Sequence, residues 1–250
     1  MNRRDCLFGG AGLLAASLVA GKSLGQAQSA ILDGNVPRNW GFVGPRDDPA
    51  FGNRHGADRG AVAVGSGLPR HEEVRTAFRL LFNAPRTNDH MAIARYFMNI
   101  KDENKEEPGE PYNQEWGERA NPLIVGFFSM TNTLPSEGDV THWCAAFVSF
   151  CLYAAGKPNK FSALSGAYRN FGEATSTPAP GDLAVFRLAG KRGDMGFGHV
   201  GFFVDRKGSK IRVLGGNQKG NTKSTGAITE ADYDAQDPVL QLYGFRKIRA

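Results

Sequence analysis

Cysteine is scarce in this chain, with three in 250 residues, and neither a Cys-x-x-Cys nor a His-x-x-x-His spacing occurs. That scarcity excludes a disulfide scaffold, and the missing spacings set aside a zinc site built from Cys144, Cys151, His142 and His199. Long apolar runs are missing too. The longest, Leu7 to Ala20, is too short for a membrane-spanning helix, which takes about 20 apolar residues. No dense basic run interleaves with aromatics, so nucleic acid is not an expected partner. No repeat or low-complexity tract argues for a solenoid or a disordered array.

The N-terminus reads as a targeting segment. Arg3 and Arg4 precede the apolar run, and Gly25-Gln26-Ala27 offers a small-residue cleavage site, so residues 1–27 are expected to be a leader and the mature chain to be exported, in the periplasm. Asn2-Arg3-Arg4-Asp5-Cys6-Leu7 resembles a twin-arginine signal, with Cys6 where an aromatic is usual; an ordinary signal peptide that carries two arginines is the alternative. Removing this segment takes away Arg3, Arg4, Lys22 and Asp5, so the formal charge falls from +5 by two, enough only for loose attraction to anionic polymers.

Beyond the leader, residues 28–70 are punctuated by glycine and proline and carry no sustained periodicity, which predicts a linker or surface-draped extension. The remainder, 71–250, is expected to be one domain. Val74, Phe78, Leu81 and Phe82, then Ile93, Phe97 and Ile100, recur at helical spacing. Asn121-Pro122 supplies an N-cap and a first-turn proline for a helix over Leu123 to Met130. The run Trp143 to Ala155, closed by Gly156, predicts a further helix, and Ser165 to Phe171 a short one. Pro178-Ala179-Pro180-Gly181-Asp182 is a strong turn, after which the pattern changes to strands over Leu183–Leu188, His199–Val204, Ile211–Leu214 and Val239–Ile248. Helices followed by strands predict an α+β fold, a nucleophile helix packed on an antiparallel sheet and preceded by additional helices.

The two cysteines left after the leader share one helix. Seven residues rise about 10.5 Å, more than a disulfide can bridge, so both thiols are expected to be free. Cys151 lies mid-helix between Phe150 and Leu152 and reads as a small core residue. Cys144 lies at the helix start behind a polar loop, where the helix dipole and the first-turn amides stabilise a thiolate; it is the nucleophile candidate.

His199 opens a strand after a glycine-rich loop. In a pleated strand His199, Gly201 and Phe203 share a face, and if that face meets the cysteine helix then His199 reaches Cys144, with Gly201 leaving room for the helix. A lone histidine at a strand start also fits a structural or solvated role. Asn217, after Gly215-Gly216, is either an acceptor for the distal imidazole proton or a turn asparagine bonding its own backbone. Asp205 would compete for the first role, but it stands about 20 Å along the strand. His142 reads as a loop or substrate-rim residue, Trp143 as packing, and Asp139 as mainly structural.

Together, Trp143-Cys144-Ala145-Ala146-Phe147-Val148, Pro180-Gly181-Asp182, Gly198-His199-Val200-Gly201 and Val213-Leu214-Gly215-Gly216-Asn217-Gln218 resemble the NlpC and CHAP superfamily of papain-like cell-wall amidases and peptidases, closely over about Asn121 to Gln218. The resemblance implies a papain-like core, Cys144 as nucleophile, His199 as base and Asn217 as the orienting residue. It also implies hydrolysis of amide bonds in peptidoglycan peptides without a cofactor. NlpC relatives often carry a second histidine in the third position, so Asn217 leans to the CHAP side. A catalytically silent wall-binding module, and a thiol acyltransferase or protein-directed effector, are the rival readings.

Overall fold

Helices lead and strands follow, as the change of hydrophobic period near Pro178 predicts. The computed structural model describes residues 68–104, 110–117, 119–135, 138–219 and 226–248. The expected leader, and all of the 28–70 extension but its last three residues, lie outside the described residues.

Helix α1 (His71–Phe82) buries Val74, Ala77 and Leu80, and α2 (His90–Met98) buries Met91, Ile93, Ala94 and Phe97. Asp89 caps α2 by accepting from the amides of Met91 and Ala92. Asn121 caps α3 (Pro122–Phe127) in the same way, with Pro122 in the first turn, and a 3-10 turn carries the helix on to Met130. Next comes the cysteine helix α4 (Cys144–Ala154), stopped by Gly156 at φ +66°. The short helix expected over 165–171 is a 3-10 segment, Ser165–Asn170. Among the described residues no helix is long and apolar enough to cross a membrane.

The strands are β1 (Glu173–Thr175), β2 (Leu183–Leu188), β3 (Gly198–Lys207), β4 (Lys210–Lys219), β5 (Gly226–Asp234) and β6 (Leu240–Lys247), with a short helix α5 (Gly190–Asp194) between β2 and β3. They form one sheet in the order β1-β6-β2-β3-β4-β5, every neighbouring pair antiparallel. The fold is therefore α+β, with helices preceding an antiparallel sheet, compatible with a papain-like core. β5 carries no clean alternation in sequence and is an element that hydrophobic period alone does not reveal.

The sheet has two differently covered faces. Leu183, Val185, Val200, Phe202 and Leu214 join Phe97, Phe127, Phe147 and Cys151 in the main core, under the helices. Ala184, Phe186, Phe203, Ile211, Val213 and Phe245 make a second apolar cluster on the other face, with Tyr233 packed against it. Strand period 2 produces this division, because alternate side chains of β2 and β3 point to opposite sides.

Candidate active site

Cys144 begins α4 and is buried, as is Cys151. Both are free thiols, as the helical spacing requires. Burial pushes the Cys151 thiol well above its ordinary value, so it stays protonated as a core residue. The entrance to α4 is fixed from outside the helix. Trp143, fully buried, donates its indole N–H to Glu115 Oε1 at 3.0 Å and stacks on Phe127. Glu115 Oε2 accepts the Gly226 amide at 2.7 Å, and the Glu115 amide donates to the Gly226 carbonyl at 2.8 Å. One buried carboxylate thus ties the residue before Cys144 to the start of β5. Sequence reasoning passed over Glu115 because it lies in a charged, turn-rich stretch with no spacing to single it out.

Asp139 is structural, as expected. Its Oδ2 accepts the amides of Trp116 (3.0 Å) and Asn121 (2.8 Å), holding the chain that leads into α3. Burial pushes its carboxyl well above the usual carboxylate range against those two bonds, and the neighbouring Glu115 adds to the rise. His142 is half-buried with its ring 6.3 Å from that of Phe197.

His199 is buried on β3, and the face it occupies is not the one that packs on α4. It stands opposite Phe186 in the β2–β3 register and contacts the rings of Phe186 (6.3 Å) and Tyr233 (5.0 Å), all on the side of the second cluster. The expectation that the His199, Gly201, Phe203 face meets the helix is therefore corrected: Val200 and Phe202 face the helices, and Phe203 lies in the second cluster. Gly201 does not make room for α4 either. A Cβ there would meet β4, at 2.9 Å from the Leu214 carbonyl oxygen. The glycine that admits the helix is Gly216, where a Cβ would fall inside the Trp143 indole and 2.9 Å from Phe147 Cβ. Its neighbour Gly215 faces the other way, with a Cβ position 3.2 Å from Gln218 Oε1 and 3.4 Å from His199 Nε2. The backbone of β4 at this glycine pair separates Trp143 from His199 by a single strand's thickness.

The partner of the imidazole is Gln218, the residue after the expected Asn217. His199 Nε2 and Gln218 Oε1 are 3.1 Å apart, both side chains buried. The amide orientation is determined by its surroundings: Gln218 Nε2 donates to the carbonyls of Thr229 and of Val213 (3.2 Å), so Oε1 must face the ring. Tyr233 also donates its hydroxyl to Oε1, at 2.9 Å, and its ring stacks on His199 with 24° between planes. An oxygen that only accepts requires a proton on His199 Nε2, which leaves Nδ1 as the basic nitrogen of the neutral ring. Burial pushes the His199 pKa down from 6.5 to about 4, against a smaller upward pull from Gln218, so the ring is neutral at pH 7. Tyr233 lies within electrostatic range of the thiol: burial raises its phenol far above the ordinary value, and Cys144 adds to the rise.

Asn217 has a different place. Its φ is +56°, a left-handed conformation that asparagine tolerates better than most residues, at the point where the β4–β5 register slips between Gly215 and Gln218. Its Oδ1 lies 2.7 Å from where a Cβ on Gly226 would stand, beside Glu115. This irregularity lets two successive polar residues be used separately, one at the strand edge and one under the imidazole.

Among curated proteins, none matches the chain. A family model does: the CHAP domain, over residues 131–217, a stretch that contains both the cysteine helix and His199 and ends one residue before Gln218. The match supports a hydrolase of the amidase or peptidase kind with a peptidoglycan-related substrate. From Thr131 to Asn217 the chain thus bears a match to the CHAP domain, within the superfamily that its motifs resemble.

Proposed function

We propose that this protein is an exported cysteine hydrolase that cleaves amide bonds in peptidoglycan peptides, with Cys144 as nucleophile, His199 as base and Gln218 as the residue that orients the imidazole. The observation that carries the reading is the fixed His199–Gln218 bond at 3.1 Å, which holds a neutral imidazole in the tautomer a general base needs. Asn217, for which the resemblance implied the orienting role, takes the supporting one: it shapes the turn of β4 that sets Gln218 beneath the ring.

In this mechanism the thiol at the first turn of α4 has to meet the imidazole past the end of the sheet, since the helix packs on the opposite face. His199 Nδ1 then takes the proton of Cys144 as the sulfur attacks the amide carbonyl carbon. The helix dipole and the Cys144 amide at the start of α4 favour the negative charge that passes to the carbonyl oxygen. The imidazolium then protonates the leaving amine, the C–N bond breaks, and an acyl-thioester remains on Cys144. Water, deprotonated by His199, hydrolyses the thioester and restores the thiol. Gln218 neither gives nor takes a proton; its oxygen holds the ring and stabilises the imidazolium N–H. Export is supported by Arg3-Arg4, the apolar run after them and the small-residue site at Gly25-Gln26-Ala27.

The test is incubation of the mature protein with purified peptidoglycan and mass spectrometry of the released fragments. New amine and carboxyl ends at one bond type are expected from the native protein and none from Cys144→Ala. Equal release from the two would end the assignment of Cys144, and binding without release by the native protein would favour the silent module.

A further inference from the structure

A groove of about 630 Å³ lies between the 3-10 segment Ser165–Asn170, the end of β2 and β6, walled by Arg169, Arg187, Asp194, Met195, Gly196 and Tyr243. Its charge is unbalanced. Arg187 pairs with Asp194. Arg169 has no carboxylate partner among the described residues: it donates Nη2 to the Phe197 carbonyl at 3.2 Å, and its Nε is buried with no acceptor. Arg246, adjoining the groove on β6, also has a buried Nε with no acceptor among the described residues. Both guanidinium carbons lie close to the Tyr243 ring, at 5.5 Å for Arg169 and 5.8 Å for Arg246.

Tyr243 is placed there by a bulge. In the β2–β6 register Val185 faces Gly244 and Phe186 faces Leu242, so Tyr243 is the extra residue, and it is 45% exposed. Such bulges re-aim a side chain, and this one turns an aromatic ring towards two guanidinium groups that have no ion-pair partner among the described residues. Burial lowers the Arg169 pKa and the neighbouring Arg187 lowers it further, against smaller upward pulls from Tyr243 and Asp194. The groove also adjoins the cysteine loop. The Phe197 carbonyl is held by Arg169, and the Phe197 ring lies against His142, two residues before Cys144.

We propose that this groove is a carboxylate-binding subsite, in which Arg169 and Arg246, braced on Tyr243, receive a free carboxylate of an acidic peptide. Planar guanidinium groups match carboxylate geometry, and neither Arg169 nor Arg246 has a carboxylate partner among the described residues. The peptidic nature of the ligand rests on the function proposed above; the carboxylate rests on the groove alone.

The experiment measures binding and not turnover, so a failure of the catalytic reading does not decide it. Cys144→Ala protein is titrated calorimetrically with an acetylated Ala–γ-Glu–Lys–Ala peptide and with its fully amidated counterpart. The acid form is expected to bind at least about tenfold more tightly, a preference of about 1.4 kcal/mol. Adding Arg169→Gln and Arg246→Gln should remove that preference while leaving the amidated peptide's affinity and the circular dichroism spectrum unchanged. Retained preference in that variant, equal affinity for the two peptides, no binding of either, or displacement of the acid peptide by equimolar inorganic phosphate would each overturn the proposal.

Discussion

On the two sides of the β4 glycine pair the molecule builds its candidate site by different physics. Towards the helices, Gly216 admits an aromatic stack: Trp143 on Phe127, and both near Phe147, all in the main core. Towards the other side, Gly215 faces a hydrogen-bonded set in which Gln218 serves His199, Tyr233, Val213 and Thr229 at once. The position of Cys144 is thus fixed by shape and that of His199 by polar valence. Packing tolerates chemical change of similar volume, whereas a buried polar set tolerates almost none.

The largest break is expected on the packed side. Gly216→Ala puts a methyl into the Trp143 ring, and neither Phe147 nor Glu115, which holds the indole, can yield. A loss of about 3 kcal/mol or more is expected by urea unfolding, together with loss of activity, because overpacking of a filled core commonly costs about 1–3 kcal/mol and this contact is with a ring. Native-like stability for this variant would mean that the helix entrance is looser than its contacts imply.

Next in size is a pH effect confined to the polar side. The folded His199 pKa, about 4, lies below the unfolded value of 6.5. Above pH 6.5 both states are neutral and the fold keeps its full stability. As pH falls from 6.5 towards 4 the unfolded chain takes up a proton that the folded chain refuses, so stability is lost, by on the order of 3 kcal/mol. Below about pH 4 this residue adds nothing further. Denaturant unfolding of native protein and His199→Gln at pH 7 and pH 4.5 should show a smaller pH-dependent loss in the variant. Equal losses would show that the ring is not buried as a neutral base.

The same contrast explains how much was legible in the sequence. Helices α1 to α4 and strands β2, β3 and β6 announce themselves by period, by caps such as Asn121-Pro122 and by the Gly156 stop, because apolar faces repeat where a core must be covered. Cys144 was legible for the same reason, as a thiol at the start of a strongly apolar helix. The polar side was not. Choosing between Asn217 and Gln218 needs the register slip of β4 against β5, and β5 itself alternates too weakly to be seen. Tyr233 and Glu115 reach the site from elements with no motif. His199 was found, but its face was misassigned, since strand period says which residues share a side and not which side the helix covers.

A substitution pair sharpens the comparison within the polar side. Gln218→Ala removes the acceptor of the imidazole proton and leaves the carbonyl oxygens of Val213 and Thr229 without their donor. Turnover is expected to fall about 30-fold, roughly 2 kcal/mol in the barrier, with the binding of substrate little changed. Asn217→Ala should cost less than about fivefold, through the strained turn alone. If the order were reversed, the orienting role would return to Asn217.

The most local change is the loss of one hydroxyl, at Tyr233, and it tests whether the set acts as a unit. Tyr233→Phe keeps the ring stacked on His199 at 5.0 Å and removes only the hydroxyl that donates to Gln218 Oε1 at 2.9 Å. That oxygen accepts from His199 as well, so one of its two donors survives and the amide stays in place through its bonds to Val213 and Thr229. One neutral hydrogen bond is worth about 1 kcal/mol, so the folded state should lose about that much in urea unfolding and kcat should fall by no more than about fivefold, while KM stays nearly constant. If Tyr233 acts only through Gln218, the hydroxyl has nothing left to hold once Gln218 is alanine. Tyr233→Phe should then add little in the Gln218→Ala background, and the double variant should match Gln218→Ala within about twofold. Full additivity of the two losses would mean that Tyr233 acts on the thiol side and not through the glutamine.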